Sequence, residues 1–319
     1  MPKLLLSFIV SLCATTSVLA QVYPSRTIRV IAPFGAGGGG DTTIRLMAQH
    51  LSVAMGQPVV VENRPGVNGV IGTQEVQRSP ADGYTLLYGG NTVYAANSSL
   101  MKKLPYDPVK DFASVTRVGM MPFVLVVNPA TPFQNLKDFI GYARDTPGKL
   151  NFASSSASGH VAGAMLSRMA GVKLVHVPYK ASSNGMMDVL SGVVPAMIVD
   201  LLPALPHIQS GKLRALGVTT STRAVLMPSV PTMAEAGGLP GYELMGWMAM
   251  AAPAGTRPDI VARLNTEVTK ILAKPDIKEA FLKAGVEVST SSPEVMTSFV
   301  IAERDKWAAM VKEAGITPE

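Results

Sequence analysis

Short apolar runs alternate along the chain with longer segments in which apolar residues recur every three to four positions. The residues TIRVIA at 27–32 form the first run, and a helix over 42–55 would place its apolar residues on one side. A second run at 58–62 completes a strand–helix–strand unit, which implies parallel strands and a right-handed crossover. Further strands are predicted at 84–88, 123–128, 149–153, 173–177 and 213–218. The pattern predicts an α/β protein.

Three more segments show helical periodicity, at 136–143, 161–169 and 294–311. The last is preceded by Ser292 and Pro293, which predict an N-cap followed by proline at the first helical position. Several of the 18 methionines fall on these helical stripes or on that of the first predicted helix, among them Met47, Met165 and Met296. We therefore expect them to fill the core rather than to bind a cofactor.

Composition and charge exclude several classes of protein. With 319 residues, 47% hydrophobic and 16% charged, the chain is long and apolar enough for two folded domains. Its single cysteine, Cys13, cannot form a disulfide, a zinc site or an iron–sulfur cluster. The net charge is +6, but the basic residues are scattered singly, so we expect no nucleic-acid partner. No HxxxH or HExxH pattern is present, and neither a metal nor a cofactor is expected.

The first 20 residues have the pattern of a cleaved signal peptide. Lys3 supplies the positive charge, 4–12 is an apolar run too short to span a bilayer, and Val18-Leu19-Ala20 resembles a cleavage site. Cys13 would be removed with this leader, and Leu12 before it does not suit lipid attachment. We therefore expect an exported protein without cysteine.

A glycine-rich loop follows the first predicted strand. Residues 35–40 satisfy the GxGxxG pattern of dinucleotide-binding proteins, and Glu62 follows at the end of the next strand. Pro33 and Phe34 lengthen a turn that must be tight, and Asp41, the expected N-cap of the helix, would repel a diphosphate. An exported protein also meets no cytoplasmic nicotinamide. The remaining interpretation is a loop whose backbone N–H groups bind a small anion.

A second loop, at 151–160, is rich in serine and also joins a predicted strand to a predicted helix. Both loops follow strands, and open parallel sheets bind ligands at the carboxyl ends of their strands. Two such loops would clamp an anion between them, although small polar residues also simply cap helices. The GxSxG pattern is absent, but an exported serine hydrolase using Ser156 or Ser158 with His160 stays open as an alternative.

Ordered motifs along the chain resemble one family, the Bug-type extracytoplasmic receptors of tripartite tricarboxylate transporters. The first motif is PFxxGGxxD, matched by Pro33 to Asp41. The others are VENRPG at 61–66, PADGYTL at 80–86, LPYDP at 104–108, VPYK at 177–180, GKLRAL at 211–216 and APAGT at 252–256. Each motif alone is short, but their order is specific to the family.

The resemblance implies a two-lobed periplasmic binding protein of type II, in which each lobe is a mixed, mainly parallel sheet flanked by helices. Lobe 1 would comprise 21–120 with 248–319, and lobe 2 would comprise 121–247. Two crossing hinge strands would lie near 120–128 and 246–252. The family function implies capture of a small organic acid without catalysis, by a monomer that delivers it to integral membrane subunits. A receptor for a sensor kinase is a further alternative.

The resemblance also implies a set of ligand-binding residues. The first loop supplies Phe34, Gly35, Ala36, Gly37, Gly38 and Asp41, the last as a cap that shapes the loop. The opposite lobe supplies Ser154, Ser155, Ser156, Ser158 and His160. Further candidates are Asn91, Thr92 and Asp200, although Asp200 could equally be a capping or loop carboxylate. One departure is that only seven residues separate Phe152 from His160, with serine and alanine in place of most of the family's glycines.

Overall fold

The computed structural model describes residues 23–313 and 315–318, so the predicted signal peptide lies outside the described residues. The strands are β1 (Ile28–Ala32), β2 (Val59–Asn63), β3 (Thr85–Gly90), β4 (Phe112–Val127), β5 (Asn151–Ser154), β6 (Val175–Pro178), β7 (Ala196–Asp200), β8 (Arg214–Val218), β9 (Met245–Pro253) and β10 (Glu287–Val288). The helices are α1 (Gly39–Met55), α2 (Val70–Gln77), α3 (Asn97–Leu100), α4 (Leu136–Asp145), α5 (Ala157–Met169), α6 (Ser182–Leu190), α7 (Leu201–Gln209), α8 (Met233–Gly237), α9 (Pro258–Ala273), α10 (Pro275–Lys283) and α11 (Pro293–Glu313). A π-helical turn, Thr92–Ala96, leads into α3.

The first half of the sheet is built on parallel strands. β1 pairs with β2 on one side and with β3 on the other, both in parallel, which confirms the predicted strand–helix–strand unit. β9 then adds antiparallel to β3. Because β1 and β3 run in the same direction, the loops after them emerge at one edge of the sheet.

One long strand, β4, belongs to both halves of the sheet. Its first part, Phe112 to Pro122, pairs antiparallel with β9, and β10 joins it at Gly119 and Met120. Its second part, Phe123 to Val127, pairs antiparallel with β7 and β8. The chain therefore passes from one half to the other inside the segment predicted to cross.

The second half repeats the parallel arrangement of the first. β5 lies between β6 and β7 and pairs in parallel with both, and the order across the whole sheet is β2-β1-β3-β9-β4-β7-β5-β6. The carboxyl ends of β5 and β7 therefore share an edge. The boundaries of the two lobes in sequence stay a prediction.

Apolar side chains form three buried clusters. One spans both halves and includes Ile31, Phe152 and Trp247, while two others cover the opposite faces, around Ile44 in the first half and Met197 in the second. Trp247 is 1% exposed and stacks on Tyr94 with ring centroids 5.7 Å apart. The two halves are thus joined by apolar packing as well as by β4.

Helix α5 is tied to the returning chain by a buried hydrogen bond. Tyr242, 1% exposed, donates from its hydroxyl to the carbonyl of Ala162 over 2.8 Å. Across the described residues, no helix is both long and apolar enough to cross a membrane.

Replacing Tyr242 by Phe should lower the free energy of unfolding by about 1 kcal/mol, the net contribution of a buried neutral hydrogen bond. The matched control is Tyr142→Phe, because that ring is 41% exposed and its change should cost less than half as much. Urea unfolding followed by circular dichroism measures both variants. Equal losses in the two variants would show that the Tyr242 hydroxyl contributes nothing specific.

Candidate functional site

The glycine loop, defined here as residues 34–38, joins β1 to α1. The prediction that Asp41 is the N-cap of α1 is wrong, because Gly39 and Gly40 already belong to the helix and Gly38 is the N-cap. Asp41 instead lies in the first turn of α1, where a negative charge is favourable next to the helix N-terminus. The start of α1 is therefore three residues earlier than the periodicity predicts.

Asp41 nevertheless shapes the glycine loop. Its Oδ2 accepts hydrogen bonds from the Gly37 backbone N–H and from Arg45 Nε, both at 3.0 Å, and its Oδ1 accepts from Asn63 Nδ2 at 2.9 Å. Burial raises the pKa of this carboxyl, but the bonds from Arg45, Gly37 and Asn63 outweigh burial and lower it below its usual value. Asp41 is thus ionised, and it holds the loop through its hydrogen bond to Gly37. Its negative charge is compensated by Arg45.

The glycine loop leaves backbone donors beside open space. Residues 35–38 are exposed, and a methyl group added at Gly35, Gly37 or Gly38 would have no neighbour within 4 Å. Gly37 has a φ of +90°, which suits only glycine, and its N–H is already bonded to Asp41. Within the described part of the chain, the backbone N–H groups of Gly35, Ala36 and Gly38 donate to no other group.

Phe34 closes one side of this loop. Its ring packs edge-on against Tyr88 with centroids 6.3 Å apart, and the Tyr88 hydroxyl lies 3.0 Å from Thr43 Oγ1. A methyl group at Gly40 would lie 3.2 Å from the Phe34 ring and 3.1 Å from Met248 Cε. Phe34, Gly40 and Met248 therefore form a tight apolar border beside the exposed amides.

The serine loop, defined here as residues 154–158, joins β5 to α5. Ser156 is the N-cap of α5, and its hydroxyl accepts from the Gly159 N–H at 3.1 Å. Ser155 Oγ lies 2.7 Å from Ser182 Oγ at the start of α6. The loop is therefore held by its own helix on one side and by α6 on the other.

Two stacked imidazoles lie next to the serine loop. The rings of His160 and His176 are parallel within 10°, with centroids 4.0 Å apart, and His176 Nε2 lies 2.7 Å from Ser154 Oγ. Burial, and then the charge of His160, lowers the pKa of His176 to about 4. A neutral His176 can accept the hydroxyl proton of Ser154.

A direct hydrogen bond joins the two halves at this site. Asn91, which follows β3, donates from Nδ2 to Ser158 Oγ over 2.8 Å, and both side chains are buried. Leu202, just after β7, would lie 3.7 Å from a methyl group at Gly39. The ends of β1 and β3 in one half therefore face the ends of β5 and β7 in the other.

The remaining two candidates lie at strand ends. Thr92 follows Asn91 at the start of the π-helical turn and is half-buried. Asp200 is the last residue of β7 and is half-buried, and its side chain does not cap α7. Burial raises the pKa of Asp200 to about 6, against a smaller opposing effect of its own backbone N–H. Asp200 thus occupies the N-cap position of α7, as one interpretation of the sequence allowed, but its carboxylate accepts no capping hydrogen bond from that helix.

The structure brings together most of the residues implied for the site and adds three that the sequence did not indicate. His176, Ser182 and Asn63 hold Ser154, Ser155 and Asp41, respectively. No group of three or more metal-ligating side chains is found among residues 23–313 and 315–318. What the site offers is a set of neutral donors, chiefly backbone N–H groups and hydroxyls.

The low pKa of His176 predicts a loss of stability in mild acid. In the unfolded chain this histidine binds a proton near pH 6.5, so its contribution is present above that pH and is lost as the pH falls from about 6.5 to about 4. Between pH 7 and pH 5, the wild type should lose about 1 kcal/mol more than His176→Gln, allowing for partial exposure.

Urea unfolding at the two pH values measures this difference, with His207→Gln as the control for removal of a histidine. If His176→Gln and His207→Gln show the same loss between pH 7 and pH 5 as the wild type, His176 does not carry the effect.

Comparisons with known proteins identify relatives of this chain. The model of the "Tripartite tricarboxylate transporter family receptor" family matches residues 43–316. Protein BugT of Bordetella pertussis is 38% identical over 311 residues, which cover 97% of this chain and 95% of that protein. The structure of R. palustris Rpa4515 with adipate is 36% identical with a TM-score of 0.87, and the match covers 93% of this chain and 100% of that one. The structure of the periplasmic binding protein BugD is 32% identical with a TM-score of 0.83, covering 93% and 100%.

These likenesses extend over nearly the whole of each chain. They confirm the predicted fold class, an α/β periplasmic binding protein of two lobes. They also place the chain among solute-binding receptors rather than in an enzyme family. The chain belongs to the tripartite tricarboxylate transporter receptor family, whose members include the Bug proteins.

Proposed function

We propose that this chain captures a small organic acid between the glycine loop and the serine loop, without chemical change, and delivers it to the membrane subunits of a tripartite tricarboxylate transporter. The observation that carries the proposal is the pairing of two donor-rich loops on facing halves of the sheet, bridged by Asn91 and Ser158. We further propose that the chain acts in the periplasm after removal of residues 1–20.

The donors suit a carboxylate in number and kind. Gly35, Ala36 and Gly38 offer backbone N–H groups, and exposed Ser156 offers a hydroxyl proton because its oxygen already accepts from Gly159. Hydrogen bonds to an ionised group contribute about 1.5–3 kcal/mol each, and a micromolar complex needs about 8 kcal/mol. Three or four such bonds would offset part of the entropy lost on binding, and a second anchored group on the ligand would supply the rest.

The Asn91–Ser158 bond supports closure rather than direct recognition. The resemblance implies that both residues contact the ligand, but the Nδ2 of Asn91 and the Oγ of Ser158 are already hydrogen-bonded to each other. A buried neutral hydrogen bond contributes about 0.5–1.5 kcal/mol, enough to bias the two halves toward each other without locking them. Such a weak contact fits a receptor that must also release its ligand.

The similarity to Rpa4515 adds support for the class of ligand. That structure was determined with adipate, which carries two carboxylates. The hydroxyl oxygens of Ser156 and Ser158, the two serines of the hydrolase alternative, accept hydrogen bonds from Gly159 and Asn91. Ser154 does contact a histidine, His176, but it is 1% exposed and so is poorly placed to attack a substrate. We therefore propose that the acid leaves the site intact.

Isothermal titration calorimetry against mono-, di- and tricarboxylates of three to eight carbons should detect at least one saturable binder. The uncharged amide of each binder serves as its control and should give no heat. Mass spectrometry of the acid recovered afterwards should show it unchanged. If circular dichroism shows that the protein is folded and no acid of the panel gives binding heat, the proposed function is contradicted.

Gly38→Val should weaken binding of the tightest acid by about tenfold or more while the protein stays folded. Gly38 has a φ of −83° and faces open space, so valine fits the backbone but places its methyl groups beside the donors. The control is Gly141→Val in α4, which also has no neighbour within 4 Å. Equal affinity in the two variants would exclude the glycine loop from the site.

A further inference from the structure

Asp200 places a carboxylate at the same edge of the sheet as the serine loop. It is the last residue of β7, and β7 runs parallel to β5, whose own last residue is Ser154. Leu202, two residues later, approaches Gly39 of the opposite half. Asp200 therefore lies at the edge of the sheet where the two halves approach each other.

The alternation of side chains along β7 fixes the face on which Asp200 lies. Ala196 and Ile198 belong to the cluster that spans both halves, whereas Met197 and Val199 belong to the opposite one. Asp200 shares the face of Ala196 and Ile198, which α5 covers through Val161. Its carboxylate is thus on the side of the sheet where α5 begins.

The carbonyl of Ile198 brings the first turn of α5 close to this position. A methyl group at Gly159 would lie 2.9 Å from that oxygen, so strand and helix are in contact two residues before Asp200. Ser156 caps α5 in that turn, and Ser158 receives the hydrogen bond from Asn91. Asp200 is therefore next to the groups proposed to hold the acid.

No basic side chain compensates the charge of Asp200. Within the described part of the chain, its carboxylate has only its own backbone N–H as a donor, and no lysine or arginine forms an ion pair with it. Asp41 on the opposite half differs in this respect, because Arg45 and Asn63 satisfy it. An acid that binds here meets one carboxylate that a basic side chain compensates and one, at the N-cap of α7, that no basic side chain of the described residues compensates.

We propose that Asp200 determines specificity by accepting a hydrogen bond from the bound acid, so that the site favours ligands whose group beside Asp200 is an amide, a hydroxyl or an ammonium rather than a second carboxylate. The inference rests on the proposed function. A second ionised carboxylate at this position would face a like charge without a counter-ion, which is strongly unfavourable in a partly buried site.

Calorimetry on matched pairs of ligands tests this role. Succinate, glutarate and adipate are each compared with their own half-amide at about pH 8 and constant ionic strength, in the wild type and in Asp200→Asn. The wild type should bind the half-amide more tightly in each pair that binds. Asp200→Asn should shift the ratio of affinities toward the diacid by about tenfold or more, because the amide of asparagine can donate to a carboxylate.

Asp145→Asn is the matched control, because Asp145 is exposed at the end of α4 and its change removes the same charge from the same half. That variant should keep the wild-type ratio. Asp200→Ser serves as a second variant if Asp200→Asn does not fold, and it should shift the ratio in the same direction.

A wild type that prefers the diacids, or a ratio unchanged by substitution of Asp200, would overturn the inference while leaving the proposed function intact. If no member of any pair binds but another carboxylate of the wider panel does, the inference again fails alone. Failure of every carboxylate would contradict the proposed function itself.

Discussion

The structure of the site depends on one constraint of α/β folds, which is that helices begin where parallel strands end. The first turn of every helix has backbone N–H groups without partners inside the helix. Because β1 and β3 end at one edge, and β5 and β7 end at another that faces it, these donors collect on two facing edges of the sheet. Everything proposed for this chain requires that some of these donors stay available to a ligand.

Asp41 shows how the fold orders a loop without using up its donors. A carboxylate beside an anion site would normally repel the anion. Here Arg45 and Asn63 bind its two oxygens, so the charge is compensated, and the carboxylate takes up the N–H of Gly37 alone among the glycine-loop amides. The hydrogen bond from Gly37 to Asp41 is made with a positive φ at Gly37, a backbone conformation that favours glycine. This requirement explains the glycine at that position better than a need for a flexible loop does.

Local pattern predicted the short strands well, with β1, β2 and β8 beginning within one residue of the predicted start. It failed for β4, of which only 123–128 was predicted. The first part of β4 contains Thr116, Arg117 and Gly119, which break the apolar run. Those residues are accommodated by pairing with β9 and by Ser291, whose backbone and side chain bond to Thr116 and Arg117. Such partners are too distant in sequence for a local pattern to show.

The site illustrates the same limit. Motifs indicated the two loops, but they could not show that Asn91 and Ser158, 67 residues apart, bond to each other. His176 was also missed, although the parallel pairing of β5 and β6 brings it beside Ser154. A lone histidine at the middle of a short strand carries no signal until that register is known.

The serine loop differs from the glycine-rich form of the family in what its hydroxyls already do. Ser154 is bonded to His176, Ser155 to Ser182, and Ser158 to Asn91. Ser156 is exposed, and its oxygen accepts from Gly159, so its hydroxyl proton is directed away from the helix. The serine side chains therefore fix the conformation of this loop, which glycines would leave flexible. The hydroxyl of Ser156 is left as a side-chain donor next to the first turn of α5. Under the proposed function, a site with so few mobile donors binds its acid mainly through main-chain N–H groups. We infer that its selectivity then depends on the side chains that border them, Phe34 on one half and Asp200 on the other.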